Sequence, residues 1–113
     1  MKRVKITVLE TNYNEKLVSE YAVKGLTRCP VHQVGQVFYA DYRKPEGLCD
    51  EAWKVMQHYA FALSNGMDGK FFDGVDPWIR HDNVAILNCT DGMRPVVFKL
   101  ERTDEDVTEQ CGD

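Results

Sequence analysis

Val4, Ile6 and Val8 alternate with Lys5, Thr7 and Leu9, the period-two pattern of a strand with one buried face. Asn12 or Asn14 then caps a short helix reaching Tyr21 or Ala22, with Leu17, Val18 and Tyr21 at helical spacing. Gly25 and Pro30 mark the stretch from Lys24 to Pro30 as a loop, and Pro30 disfavours helix at Cys29. Val34 to Ala40 predicts a second strand, entered by a turn and left through Lys44-Pro-Glu-Gly47. The clearest element follows. From about Cys49 or Asp50 to Ser64, the residues Ala52, Trp53, Met56, Tyr59, Ala60 and Leu63 form a broad apolar helical stripe, which Asn65-Gly66 ends.

Gly66 to Asp82 reads as a long connection. It holds Gly69, Gly74 and Pro77 but also Phe71, Phe72 and Trp78, so it is expected to lie over a core edge, with Asp73-Gly74 as a turn. Val84 to Cys89 and Pro95 to Glu101 are two further strands, joined through Asp91-Gly92. From Thr103 the chain is acidic and polar. The order β-α-β-α-β-β predicts an α+β domain over residues 1–102, a small, mainly antiparallel sheet with helices on one face and a C-terminal hairpin. Residues 103–113 are expected to be a disordered tail, with Cys111 an incidental thiol in it.

A two-residue Asp91-Gly92 turn would set Thr90 opposite Met93, Cys89 opposite Arg94 and Leu87 opposite Val96. Ala85, Leu87, Val96, Phe98 and Leu100 then share a buried face, while Asn88, Lys99 and Glu101 point away. Cys89 and Arg94 would meet on the core side at the sheet end, where a guanidinium favours thiolate over thiol.

At 113 residues, 43% hydrophobic and 28% charged, the chain has the composition of one globular domain. Its net charge of −4, with Arg and Lys scattered, offers no footprint for nucleic acid. The start passes straight from Met1-Lys2-Arg3 into alternation, without an apolar signal segment, and no run is long enough for a membrane span. A cytoplasmic protein with reduced thiols is the expectation. The cysteines at 29, 49, 89 and 111 show no Cys-x-x-Cys spacing, and no Ser-His-Asp or Cys-His signature, phosphate loop or dinucleotide fingerprint occurs.

Val4-Lys-Ile-Thr-Val8, Cys29-Pro30, Gly35-Gln36 with Phe38, Lys44-Pro-Glu-Gly47, Cys49-Asp50 with Ala52-Trp53, and the run from Cys89 to Arg102 together make a specific set. On these, over most of residues 2–102, the chain resembles a family of short bacterial and archaeal proteins built around cysteine motifs. The family has no established activity, so the resemblance supplies no mechanism. It implies that Cys29, Cys49 and Cys89 fall in family motifs, that Cys111 lies in an extension, and that Gly66 to Asp76 is longer than in the typical member.

Three readings follow. In the first, a thiol and arginine site binds or transforms a small anionic molecule: Cys89 or Cys49 acts as nucleophile, Asp50 or Asp91 moves a proton, and Arg94 and Trp53 contact the substrate. Cys49 gains interest from its place at a helix start. In the second, Cys29, Cys49 and Cys89 converge on a metal such as zinc or on an iron-sulfur cluster, with His32 or an exogenous ligand completing the set. In the third, a sheet edge or the aromatic loop forms a homo-oligomer contact. Each residue also has a plain structural use: Asp50 and Glu51 suit a helix first turn, Asp91-Gly92 makes a turn, a buried cysteine packs, and His32, His58 and His81 read as surface, packing and loop residues. The sequence names no cofactor.

Overall fold

The computed structural model describes residues 1–72 and 77–107. The elements, in chain order, are β1 (Lys2–Thr11), α1 (Glu15–Tyr21), β2 (Val37–Ala40), α2 (Asp50–Ser64), β3 (Val84–Asn88) and β4 (Val96–Asp106). One antiparallel sheet has the order β2-β1-β4-β3, so the α+β class, the element order and the C-terminal hairpin are as expected. The Asp73-Gly74 turn and Cys111 fall outside the described residues.

The alternation in β1 and β4 builds the core. Val4, Ile6 and Val8 face the same side as Val96, Phe98 and Leu100, and all six are at most 1% exposed. Ala85 of β3 and Ala40 of β2 complete that face, and α2 lays Ala52, Trp53, Met56, Ala60 and Leu63 across it. Only α2 does this; α1, capped by Asn14 accepting from Leu17 N–H at 3.0 Å, buries none of its residues. Ser64, in the last turn of α2, donates from Oγ to the Lys2 carbonyl at 2.7 Å and so fixes the lower end of the helix against β1. The loop from Gly66 does cover a core edge: Met67 and Phe71 pack on the core, and Phe71 meets Tyr59 edge-on at 5.1 Å.

Several expectations need correction. The second strand is shorter than 34–40 because Gly35, at φ +94°, turns the chain, with Gln36 N–H donating to Gln33 C=O at 3.1 Å. The acidic stretch after Arg102 is partly strand, not tail. β4 runs to Asp106 because its carboxylates meet the basic start of β1: Lys2 pairs with Asp106 at 2.8 Å and Arg3 with Glu105 at 3.4 Å.

The hairpin register is also different. Leu87 faces Phe98 and Asn88 faces Val97, two residues from the expected pairing, so Cys89 faces Val96 rather than Arg94, and residues 90–95 form the connection. The expected register would have made Asn88 and Pro95 a hydrogen-bonded pair, and Pro95 has no N–H to give. The connection is held instead by the Asp91 carboxylate, whose Oδ1 accepts Met93 N–H at 2.9 Å, and by Asn12 and Asn14 N–H donating to the Pro95 and Met93 carbonyls. A two-residue shift keeps every side chain on its face, which is why Ala85, Val96, Phe98 and Leu100 are buried as expected, with Leu87 half-buried.

His32 is not a surface residue. It is 2% exposed, with its ring edge-on to Phe38 at 5.6 Å and to Phe98 at 5.4 Å. Cys49 N–H, at the start of α2, donates to Nε2 at 3.2 Å, which makes Nε2 the bare nitrogen and leaves Nδ1–H to donate to Gln36 Oε1 at 3.0 Å. The imidazole thus ties the β1–β2 connection to the helix start. His32→Ala should lower stability by about 2–4 kcal/mol, from lost packing and an unpaired Cys49 amide. Urea unfolding measures this, and imidazole nitrogen NMR should show the proton on Nδ1.

Candidate functional site

The segments that carry the three cysteines meet at the end of the sheet where β1 finishes. Cys89 directly follows β3, donating its N–H to Val96 C=O at 3.0 Å and accepting Val96 N–H on Sγ at 3.4 Å. Cys49 is the N-cap of α2, next to Glu51, whose Oε1 accepts from Thr90 Oγ1 at 3.2 Å and so joins the helix start to the 90–95 connection. Arg28, beside Cys29, donates from Nη1 to the Thr11 carbonyl at 2.7 Å, and Thr11 in turn faces Val96. All three cysteines are half-buried, free and packed against the common core. Among the described residues no three His, Cys, Asp or Glu side chains are grouped so as to hold one metal ion. His32 has both ring nitrogens engaged, so it could not join a ligand set without giving up a hydrogen bond.

The other expected site residues are placed as follows. Arg94 Nε donates to Asp91 Oδ2 at 3.1 Å, so the guanidinium is held by its own turn. Partial burial raises the Asp91 pKa, but the Met93 amide and the Arg94 side chain and amide outweigh it and hold the carboxyl below its ordinary value. Asp50 is exposed and pairs with Lys44 at 3.2 Å, in the helix first turn where its charge favours the dipole. Trp53 is 9% exposed and part of the core, so its indole serves packing rather than a ligand. His58 leans on Tyr59 at 4.9 Å, and His81 is exposed beside a groove described below.

A cleft of about 410 Å³ lies elsewhere, where β2 leaves the sheet, and sequence reasoning missed it. Arg3 of β1, Tyr39 and Ala40 of β2, Asp41, Arg43, Lys44 and Pro45 of the connection to α2, and Val107 line it. The Val4–Ala40 pairing sets Arg3 beside the β2 exit. Asp41 is 7% exposed, and its carboxylate accepts Arg43 N–H at 2.7 Å and Nη2 at 2.6 Å. The Arg43 side chain holds the Asp41 carboxyl below its ordinary value, against the upward pull of burial. Arg43 is therefore fixed in place by a buried counter-charge. Arg3 and Lys44, by contrast, are paired with Glu105 and Asp50, whose side chains are 61% and 82% exposed. Such pairs contribute about 0–1 kcal/mol, so an incoming anion can replace them at small cost, while Lys44 keeps the hydrogen bond that its Nζ donates to the Leu48 carbonyl at 2.8 Å.

The signal for this cleft was modest but present: Asp41-Tyr-Arg-Lys44 is a charged cluster directly after an apolar strand. Arg3 could not be joined to it before the β1–β2 pairing was known. Comparison with family models, with curated proteins and with solved structures finds no match to this chain.

The sign of the Asp41 contribution follows from its depressed pKa. The folded state binds this proton less readily than the unfolded chain, so the stabilisation is complete above the unfolded pKa and is lost as pH falls through the folded one. Asp41→Asn should cost about 1–3 kcal/mol at neutral pH, and the gap to wild type should close through the acid carboxylate range. Urea unfolding across that range checks it; a gap that does not change with pH would contradict the assignment.

Proposed function

We propose that this protein binds a small anionic molecule in the cleft formed by Arg3, Arg43 and Lys44. The observation that carries the reading is the convergence of three cationic side chains from two segments, Arg3 of β1 and Arg43 and Lys44 of the connection to α2, on one cavity whose only lining carboxylate among the described residues, Asp41, is already paired with Arg43. Among the described residues the lining carries +3 against −1, a net +2, which suits a phosphate or a polycarboxylate group better than a singly charged ion. Tyr39, 50% exposed, and Pro45 and Val107 supply apolar surface for an organic body attached to the anionic group. A chain whose net charge is −4 gathers anions at such a place through local geometry rather than through its overall field.

This keeps the ligand class expected from the sequence and moves it from the cysteine end to the β2 exit. Lys44 and Pro45 belong to the Lys-Pro-Glu-Gly segment on which the family resemblance rests, so the reading extends to relatives that share it. No reaction is assigned, since the cleft is lined by groups that hold charge rather than by a nucleophile and a base.

Titration with inorganic phosphate, followed by the amide NMR signals of Ala40, Asp41 and Lys44, tests the proposal. Saturable shifts are expected with phosphate and not with chloride at equal ionic strength. Arg3→Gln and Lys44→Gln should each weaken binding about tenfold, or about 1.4 kcal/mol, while leaving circular dichroism unchanged. Equal responses to phosphate and chloride, or variants that bind as wild type does, would sink the reading.

A further inference from the structure

β3 closes one side of the sheet, and its odd and even residues have different duties. Cys89 N–H donates to Val96 C=O at 3.0 Å and Arg102 N–H donates to Asn83 C=O at 3.3 Å. The pairs Ala85–Leu100 and Leu87–Phe98 lie in the same alternating series, so the odd residues of β3 exchange the bonds with β4. The N–H and C=O groups of Val84, Ile86 and Asn88 therefore point outward, away from β4. Among the described residues no loop backbone bond reaches them.

This edge lacks the usual protections. Val84-Ala-Ile-Leu-Asn88 has no charge, no lysine and no proline, its register with β4 has no bulge, and Ile86 is 41% exposed. The side chains of Val84 and Ile86 also line a groove of about 440 Å³ on the uncovered face, with Ile79, His81, Asp82, Lys99 and Glu101 around them.

We propose that a second copy of the chain adds to this edge, β3 against β3, antiparallel about a two-fold axis at Ile86. Ile86 then faces its own counterpart, and Val84 faces Asn88 of the second copy. The outward groups at 84, 86 and 88 are placed symmetrically about 86, so one operation satisfies all of them in both copies. A strand with no charge meets no repulsion from its like, which a foreign peptide would have no special reason to match. On the helix side, half-buried Leu87 comes opposite Ala85 of the second copy, continuing the core across the joint. The result is one continuous eight-stranded sheet, four strands from each copy.

Analytical ultracentrifugation of the full chain tests this, with two substitutions. Ile86→Pro removes an outward N–H that the monomer's own ladder does not use, and Ile86→Lys places a charge at the axis. Wild type should sediment at twice the chain mass of 13.0 kDa, and both variants at the chain mass with unchanged circular dichroism. Hydrogen exchange should show the Ile86 and Asn88 amides protected in wild type and increasingly so with concentration. If Ile86→Pro fails to fold, Ile86→Lys still reads the joint. A wild type that stays at the chain mass into the millimolar range overturns the proposal. So does a dimer that both variants leave intact, which would place the contact on β2 or the aromatic loop.

Discussion

The pairing of β1 with β4 is the constraint on which everything else hangs. These are the two longest strands, and each supplies three residues at most 1% exposed to one face. That face is the surface α2 needs, because a single helix can bury its apolar stripe only against a matching plane. β2 and β3 are then added as edges, one on each side. The same pairing brings the basic start of the chain against the acidic end of β4, so that Lys2, Arg3, Glu105 and Asp106 settle their charges across strands.

Position along that central pair divides the molecule into two ends with different chemistry. At the end where β1 finishes and β4 begins, Cys29, Cys49 and Cys89 pack on the core while His32 bridges the β1–β2 connection to α2. Polar groups there are occupied in structural bonds, with Asp91 on Arg94 and Glu51 on Thr90 and Lys54. At the other end, β2 leaves the sheet beside Arg3, and the Asp41–Arg43 pair is half-sunk in the wall of an open cleft. There a buried carboxylate positions one arginine beside two cations, Arg3 and Lys44, whose carboxylate partners are exposed.

The hairpin shows how a local signal and a tertiary one compete. Asp91-Gly92 is a strong turn signal, and it does make a turn, with Asp91 capping Met93 and Arg94 N–H groups. It does not close the ladder. Proline at 95 withdraws a donor that the tight register requires, and Asn12 and Asn14, just past the end of β1, donate their N–H groups to the Pro95 and Met93 carbonyls. The buried face survives because a shift of two residues preserves parity. The thiol–guanidinium neighbourhood did not, because it depended on the register itself.

Periodicity by itself determined the elements, their order, the faces of β1, β3, β4 and α2, and both the Asn14 cap and the Asn65 stop, since each of these is written in residues a few positions apart. Tertiary structure alone decided which charges meet. The tail-like acidity after Arg102 became strand only because Lys2 and Arg3 lie opposite it, and His32 became a core residue only because Phe98, Gln36 and the Cys49 amide close around it. Arg3 and Lys44 share a cleft through a strand pairing that joins distant segments. Apolar patterns are read locally because burial depends on facing one side, whereas a charge or an imidazole takes its role from whatever partner the fold places within a few ångströms.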